Sequence, residues 1–184
     1  ISMAHQVSAQ ALVLPFVDSS SLATKKERFA LVRLLNDLEQ VQNQSDVEIH
    51  LELDIEPEEM AYLLSLIKNS KVKIVFDIGN SASLGYDPTD ELRCIGDRLG
   101  SIHVKDRLRG GHTVPLGEGA TNLRKVFEVI ASSGYEGHYI VQGARGGDDV
   151  EAARAALHCA LTTSYTADDA GQSRTRASSV TQVK

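Results

Sequence analysis

The sequence contains few of the residues that mark disulfide-rich or membrane proteins. Its two cysteines, Cys94 and Cys159, fall in predicted helices and are too few for a disulfide framework, so packing is their expected role. No apolar run approaches the roughly 20 residues that a membrane-spanning helix needs, and no pattern of a cleaved signal is recognisable. We therefore expect a cytoplasmic protein that does not contact a membrane.

Basic residues are also in the minority. The 19 lysines and arginines face 25 aspartates and glutamates, which gives a formal net charge of −6. Binding to nucleic acid depends on clustered lysine and arginine side chains at the phosphates. The charge therefore argues against a nucleic-acid partner, although a local basic patch could still bind one phosphate group.

Regular alternation is what the sequence does show. Five apolar runs of strand length alternate with about five amphipathic helical patterns, and one helix starts at a capping box of Thr24 and Glu27. Strict alternation predicts an α/β fold with a parallel sheet and right-handed crossovers. An open five-stranded sheet satisfies this pattern, and so do the last five units of an eight-stranded barrel.

The central stretch, from Lys71 to Asp106, carries the first candidate site residues. It is predicted to form a strand, a glycine-rich loop that contains Asn80, a helix and a second strand. Because side chains alternate along a strand, the apolar residues take one face, and Asp77 and His103 take the other face of their strands. An aspartate and a histidine thus end neighbouring strands and point the same way.

Glu52 holds the equivalent place in the preceding strand. Glu52 and Asp77 are 25 positions apart, and Asp77 and His103 are 26 apart, as expected of successive β/α units. Ligands of such folds bind at the carboxyl ends of the strands, and two carboxylates with an imidazole can hold a divalent cation. The three side chains are therefore candidates for a metal site. The alternative is that they are unrelated polar residues at strand ends.

Several residues are candidates for binding a substrate. Arg107, Arg109 and Arg145 lie beside glycines just past strand ends, where guanidinium groups and backbone N–H groups could hold a phosphate. A solvated basic loop explains the same pattern. Asn80 follows Gly79 in a predicted turn, where it either binds substrate or tolerates a left-handed backbone conformation.

Six segments together resemble the sugar phosphate isomerase/epimerase family, the xylose isomerase-like barrels that also include nucleases of the endonuclease IV type. They cover most of Ala11 to Leu161 and read LVLPFVDSSSL, LELD, FDIGNSASLGYDP, HVKDRLRGG, VPLGEG and IVQGARGGDDVEAAR. The resemblance implies a (β/α) TIM barrel with a divalent cation at the strand ends, whether Mg, Mn, Co or Zn. By the resemblance, Glu52, Asp77 and His103 carry over as metal ligands.

Gln142 departs from the pattern of the family. Many members have a glutamate as a fourth ligand at this position, and in the epimerases two glutamates act as proton acceptor and donor on opposite faces of the substrate. An amide oxygen can still ligate a hard cation such as Mg²⁺ or Mn²⁺, but the amide cannot take a proton at neutral pH. Gln142 therefore favours a one-base mechanism in which Glu52 moves a proton between adjacent carbons, assisted by metal-bound water or Lys105.

The matching segments also lack the first three β/α units of the barrel. We expect residues 1–161 to form an incomplete barrel of about five of the eight β/α units, with parallel strands. Five strands cannot close a barrel. Either the missing strands come from elsewhere, or exposed sheet edges favour association, for example into a homo-oligomer. Residues 162–184 have neither periodicity nor enough apolar residues to pack, which predicts a disordered tail.

The resulting hypothesis is a metal-dependent isomerase or epimerase of a small sugar or sugar phosphate, acting through an enediol(ate) intermediate. Two alternatives stay open. A nuclease of the endonuclease IV type would need several further histidine and glutamate ligands and a basic surface, and the sequence shows neither. A non-catalytic remnant or partner-binding half-barrel is favoured by the missing units and by Gln142.

Overall fold

The computed structural model describes residues 1–39, 45–143 and 148–168. Its main sheet contains five strands, which are β1 (Ala11–Phe16), β2 (Glu48–Leu53), β3 (Val72–Asp77), β4 (Leu99–Val104) and β7 (His138–Val141). Their order in the sheet is β1-β2-β3-β4-β7, and the pairs β1–β2, β2–β3 and β4–β7 are parallel. The predicted five-stranded sheet with parallel strands is therefore confirmed.

Helices separate successive strands of this sheet. They are α1 (Ser2–Gln6), α2 (Lys25–Asp37), α3 (Pro57–Leu66), α4 (Ile78–Leu84), α5 (Pro88–Ile95), α6 (Leu123–Ser132) and α7 (Asp149–Asp168). The chain groups into two compact units, residues 1–75 with 94–100, and residues 76–93 with 101–184. The first unit contains α1, α2, α3, β1 and β2, and the second contains α4, α6, α7 and β7.

The strands of the main sheet bury their apolar residues at every second position. Ile49 and Leu51 of β2, Ile74 and Phe76 of β3, and Ile102 of β4 are all almost inaccessible to solvent. Full burial of such a side chain stabilises the fold by roughly 1.5–3 kcal/mol. In β2, β3 and β4 the opposite face carries Glu52, Asp77 and His103, as the sequence predicted.

Helix α2 begins at the predicted capping box. The Thr24 hydroxyl accepts the Glu27 N–H, and the Glu27 carboxylate accepts the Thr24 N–H. Replacing Thr24 with alanine removes an acceptor for an otherwise unpaired N–H group, so we expect a loss of about 1 kcal/mol in urea unfolding. Thr24→Ser is the control and should retain most of this stability. An equal loss in both variants would show that the hydroxyl does not act as the cap.

The glycine-rich loop predicted after β3 is instead the short helix α4. The carboxylate of Asp77 accepts the N–H groups of Gly79 and Asn80, which starts the helix directly at the end of the strand. The helix ends at Gly85, whose φ of 87° lies in the left-handed region that glycine adopts without steric cost. The predicted turn at Asn80 is therefore wrong, because the Asp77 cap favours a helix there.

A small antiparallel hairpin lies in the segment predicted as a polar loop. Its strands are β5 (Asp106–Arg107) and β6 (Thr113–Val114), paired Asp106 with Val114 and Arg107 with Thr113. Two-residue strands leave almost no alternation in the sequence, which explains why the pattern analysis did not detect them.

Helix α7 extends past the predicted start of the disordered tail. It continues to Asp168, so the structure has residues 162–168 within a helix, whereas the sequence predicted a disordered tail from residue 162. The hydroxyls of Thr162, Thr163 and Ser164 donate to carbonyls three or four residues earlier, which keeps these polar residues within the helix. Residues 169–184 lie outside the described residues. Within the described ranges, no helix is long and apolar enough to cross a membrane.

Candidate active site

Asp77 uses its two carboxylate oxygens in different ways. It is the last residue of β3 and the N-cap of α4, and its side chain is buried. Oδ1 accepts the N–H groups of Gly79 at 3.1 Å and of Asn80 at 2.9 Å. This pair of bonds fixes the orientation of the carboxylate and turns Oδ2 toward the ends of the neighbouring strands.

Two nitrogen-bearing side chains approach this second oxygen. Lys105 Nζ lies 2.6 Å from Asp77 Oδ2, and His103 Nδ1 lies 3.7 Å from it. The contact with Lys105 is an ion pair, and among the described residues Oδ2 accepts no hydrogen bond. Burial by itself would raise the pKa of Asp77, but the nearby His103 side chain and the Lys105 ammonium outweigh it, so the pKa lies below its usual range. Asp77 is therefore a buried carboxylate held in its charged form.

Glu52 completes a cluster of metal-competent side chains on the main sheet. It lies in β2, where its backbone pairs with Val75 of β3, and its side chain is buried. One donor atom each from Glu52, Asp77 and His103 lie within 4.8 Å of one another. The structure thus brings together the three residues that the sequence placed at successive strand ends.

The chemistry of this cluster fits a divalent cation. Two carboxylates and an imidazole suit Mg²⁺, Mn²⁺, Co²⁺ or Zn²⁺, and Asp77 Oδ2 is a buried charged oxygen that pairs with Lys105 but accepts no hydrogen bond within the described part of the chain. Buried polar atoms are normally satisfied, so an oxygen of this kind marks a place where a ligand would be stabilised. The role of the three residues as ligands stays a prediction.

Gln142 contacts the imidazole of His103. It follows β7 directly, and its Nε2 lies 3.1 Å from His103 Nδ1. An Nδ1 lone pair that accepts this amide proton is not available to a cation, so a cation bound at Nδ1 requires the amide to turn. A turned amide would present its oxygen, the only atom of Gln142 that can ligate a hard cation.

The predicted substrate-binding residues fall into three groups. Arg107 Nη1 donates to Asn80 Oδ1 at 2.8 Å, so these two residues bind each other. Arg109 is exposed, and its guanidinium lies where a side chain at Gly85 would be. Arg145 lies outside the described residues. The structure brings Arg107 and Asn80 together beside Asp77, and contact of any of the four residues with a substrate stays a prediction.

Pattern analysis missed a buried acid in this unit. Glu91 of α5 is buried, and its carboxylate accepts a hydrogen bond from the Ser81 hydroxyl. Burial, and further the negative charges of Asp77 and Asp87, raise the pKa of Glu91 to about 7, although the Ser81 hydrogen bond acts in the opposite direction. Its position in the first turn of a helix predicted only a favourable interaction with the helix N-terminus, and nothing local in the sequence indicated burial.

Comparison with known proteins gives a consistent result. The family model described as xylose isomerase-like TIM barrel matches residues 1–161. An L-ribulose-5-phosphate 3-epimerase of Salmonella paratyphi A is 32% identical over 77 residues, which cover 41% of this chain and 27% of that protein.

Solved structures show the same fold. A xylose isomerase domain protein from Planctomyces limnophilus superimposes with a TM-score of 0.74 at 22% identity, covering 92% of this chain and 63% of that one. A xylose isomerase-like TIM barrel protein from Mycobacterium smegmatis in complex with magnesium gives a TM-score of 0.66 at 14% identity, covering 92% and 64% of the two chains. The chain thus spans less than two thirds of these barrels, and the predicted incomplete barrel of the TIM type is confirmed.

Proposed function

Because the chain belongs to the xylose isomerase-like TIM barrel family, we propose that it carries the metal site of an isomerase or epimerase for a small sugar or sugar phosphate. The observation that supports this most directly is the cluster of Glu52, Asp77 and His103 at strand ends. The epimerase from Salmonella supports the reaction class, and its name supports a ketose phosphate as the first substrate to test.

The proposed cation is held by Glu52, Asp77 and His103, with Gln142 as a fourth ligand through its amide oxygen. When bound, the cation supplies an electrophile that stabilises negative charge on the substrate oxygen. Mg²⁺ and Mn²⁺ are the first candidates, since the set is rich in oxygen ligands. The charged state of Asp77, which Lys105 and His103 favour, is the state that a ligand requires.

Glu52 is the proposed base. Its carboxylate can remove a proton from the carbon beside the carbonyl group and return it to the former carbonyl carbon. The proton of the adjacent hydroxyl group passes to the former carbonyl oxygen, so the enediolate collapses to the isomeric sugar. Gln142 cannot exchange a proton, so the described residues offer one carboxylate base rather than an opposed pair. This difference favours aldose–ketose isomerisation over a two-base epimerisation.

The remaining residues orient the substrate. The ammonium group of Lys105, 2.6 Å from Asp77, can donate a hydrogen bond to an oxygen that becomes negative during the reaction. Asn80, Arg107, Arg109 and Arg145 are proposed to bind the hydroxyl or phosphate groups of the substrate. Arg107 already donates from Nη1 to Asn80 and from Nε to Gly111, so contact with a phosphate would require it to share or give up one of these bonds.

Two alternative functions predict different results. For a nuclease with a multi-metal centre, further clustered ligands are needed, and the described part of the chain provides one three-residue group. A non-catalytic remnant is favoured by Gln142, which cannot act as a second base. It predicts neither cation binding nor proton exchange.

The test combines calorimetric titration of the whole chain with Mn²⁺ and Mg²⁺ and NMR detection of deuterium incorporation into L-ribulose 5-phosphate and related ketose phosphates in D₂O. Glu52→Gln keeps an oxygen that can ligate the cation and loses the base, so the rate of deuterium incorporation should fall by roughly 10²–10⁴-fold. The affinity for the cation should fall much less. Glu48→Gln, on the same strand and face, is the matched control and should exchange like the wild type. Absence of both cation binding and deuterium incorporation in the wild type would contradict the proposal and support the remnant.

A further inference from the structure

The carboxylate of Asp106, the first residue of β5, accepts four backbone hydrogen bonds. Oδ1 accepts from Arg107 and Thr121, both at 3.0 Å, and Oδ2 accepts from Gly117 at 3.0 Å and Gly119 at 2.9 Å. The side chain is only 1% exposed. A buried carboxylate is stable when N–H groups surround it in this way, so loop 107–121 and Asp106 stabilise each other.

Two of the residues that donate to this carboxylate, Gly117 and Gly119, are at positions that favour glycine. A Cβ atom at Gly119 would lie 2.2 Å from Asp106 Oδ1, so no side chain fits there. Gly117 has a φ of 94°, in the region that favours glycine. The loop can therefore follow this path only because its sequence supplies GEG at the two contact points.

Loop 107–121 also contacts helix α4 through Ser83. Ser83 Oγ donates to Leu108 O at 2.9 Å, and Gly110 N donates to Ser83 O at 2.9 Å. These contacts fix the tip of the β5–β6 hairpin to the helix that Asp77 caps.

A chain of hydrogen bonds connects the loop to Asp77. Arg107 is fixed by its Nε, which donates to Gly111 O at 2.9 Å, and its Nη1 donates to Asn80 Oδ1 at 2.8 Å. The backbone N–H of Asn80 donates to Asp77 Oδ1 at 2.9 Å. The orientation of Asp77 thus depends on the first turn of α4, and Arg107 holds that turn from the loop side.

We propose that Asp106 is a positioning residue for the cation site. It fixes loop 107–121, the loop holds Arg107 against Asn80, and Asn80 helps to align the Asp77 carboxylate. Asp106 itself contacts neither the substrate nor the cation. The inference rests on the proposed function, because it concerns the affinity of the proposed cation.

Asp106→Asn tests this role in the whole chain. Asparagine keeps one acceptor oxygen and replaces the other with an amide group that cannot accept, so one pair of loop N–H groups loses its partner. By NMR, the amides of Gly117 and Gly119, or those of Arg107 and Thr121, should exchange about tenfold or more faster than in the wild type. By calorimetry, the Kd for Mn²⁺ should rise about tenfold, as when an outer partner of a metal ligand is removed.

Asp90→Asn is the control for this variant. Asp90 is exposed and forms an ion pair with Arg93, so its substitution should change neither loop exchange nor the Kd for Mn²⁺. In Asp106→Asn, unchanged amide exchange would overturn the assignment, and so would faster exchange with unchanged affinity. Absence of Mn²⁺ binding in the wild type would instead overturn the proposed function together with this role, so the two failures are distinguishable.

Arg107→Met provides a second test if Asp106→Asn does not fold. It removes the guanidinium donors and leaves Asp106 and its four N–H partners in place. We expect normal exchange at Gly117 and Gly119 with a raised Kd for Mn²⁺. An unchanged Kd would show that Arg107 does not transmit the order of the loop to Asp77.

Discussion

Replacing Asp77 with asparagine should weaken cation binding by more than the roughly 10–100-fold that the loss of an outer partner causes. It should also lower the free energy of unfolding by about 3–5 kcal/mol, the cost of breaking a buried ion pair from one side. The amide can still cap α4 through its oxygen, but its NH₂ group would face the ammonium of Lys105 in place of the carboxylate oxygen that pairs with it at 2.6 Å. Urea unfolding without metal measures the stability change, and calorimetry with Mn²⁺ measures the affinity.

Asp87→Asn is a matched control within the same unit. Asp87 also pairs with a lysine, at 2.5 Å from Lys125 Nζ, and the hydrogen bond from Lys125 lowers the pKa of Asp87 to about 2. Both partners are exposed, so solvent and salt screen the pair and its loss should change stability little. Equal effects of the two substitutions would contradict the importance of burial at Asp77.

Glu91→Gln should make the protein more stable at pH 8 and leave its stability at pH 4.5 almost unchanged. Burial raises the pKa of Glu91 from an ordinary value of 4.5 to about 7, so the folded state holds this proton more tightly than the unfolded state. The stabilisation of the folded state by the protonated Glu91 carboxyl is fully present below about pH 4.5 and is lost as the pH rises through 7. A pKa rise of this size corresponds to about 3 kcal/mol. Glutamine mimics the protonated acid and should remove this pH dependence.

The measurement is urea unfolding of both proteins between pH 4.5 and pH 8. Glu58→Gln is the control, because Glu58 also lies in the first turn of a helix but is exposed. Because the Glu58 side chain is exposed, its substitution should not stabilise the protein at pH 8. A Glu91→Gln variant that is less stable than the wild type at pH 8 would show that the charged carboxylate is favoured in the folded state.

Local patterns in the sequence were sufficient for much of the fold. Alternation along the strands placed Glu52, Asp77 and His103 on one face, and the Thr24–Glu27 capping box marked the start of α2. These signals need only neighbouring residues, because strand and helix periodicity and capping act over a few positions. The same patterns did not show that Asp77 starts a helix, since a single carboxylate cap outweighed the loop-like composition that follows it.

Long-range contacts explain what the sequence did not reveal. Burial of Glu91 depends on Ser81, ten positions earlier, and Asp106 collects N–H groups up to 15 positions away. The pairing of Arg107 with Asn80 likewise joins residues 27 positions apart. None of these contacts produces a periodic pattern in the sequence. Arg107 was therefore predicted to bind a phosphate group, whereas in the structure its guanidinium donates to Asn80.

The divided use of the Asp77 carboxylate gives the site a spectroscopic reporter. The amides of Gly79 and Asn80 donate to Oδ1, while a ligand that binds Oδ2 withdraws electron density from the same carboxylate. Their proton and nitrogen chemical shifts should therefore change on titration with a cation, even without substrate or turnover. Glycine amide signals are usually well separated in such spectra, so the Gly79 signal can be followed directly. The position also requires glycine, because a Cβ atom there would lie 2.7 Å from Lys105 Cγ.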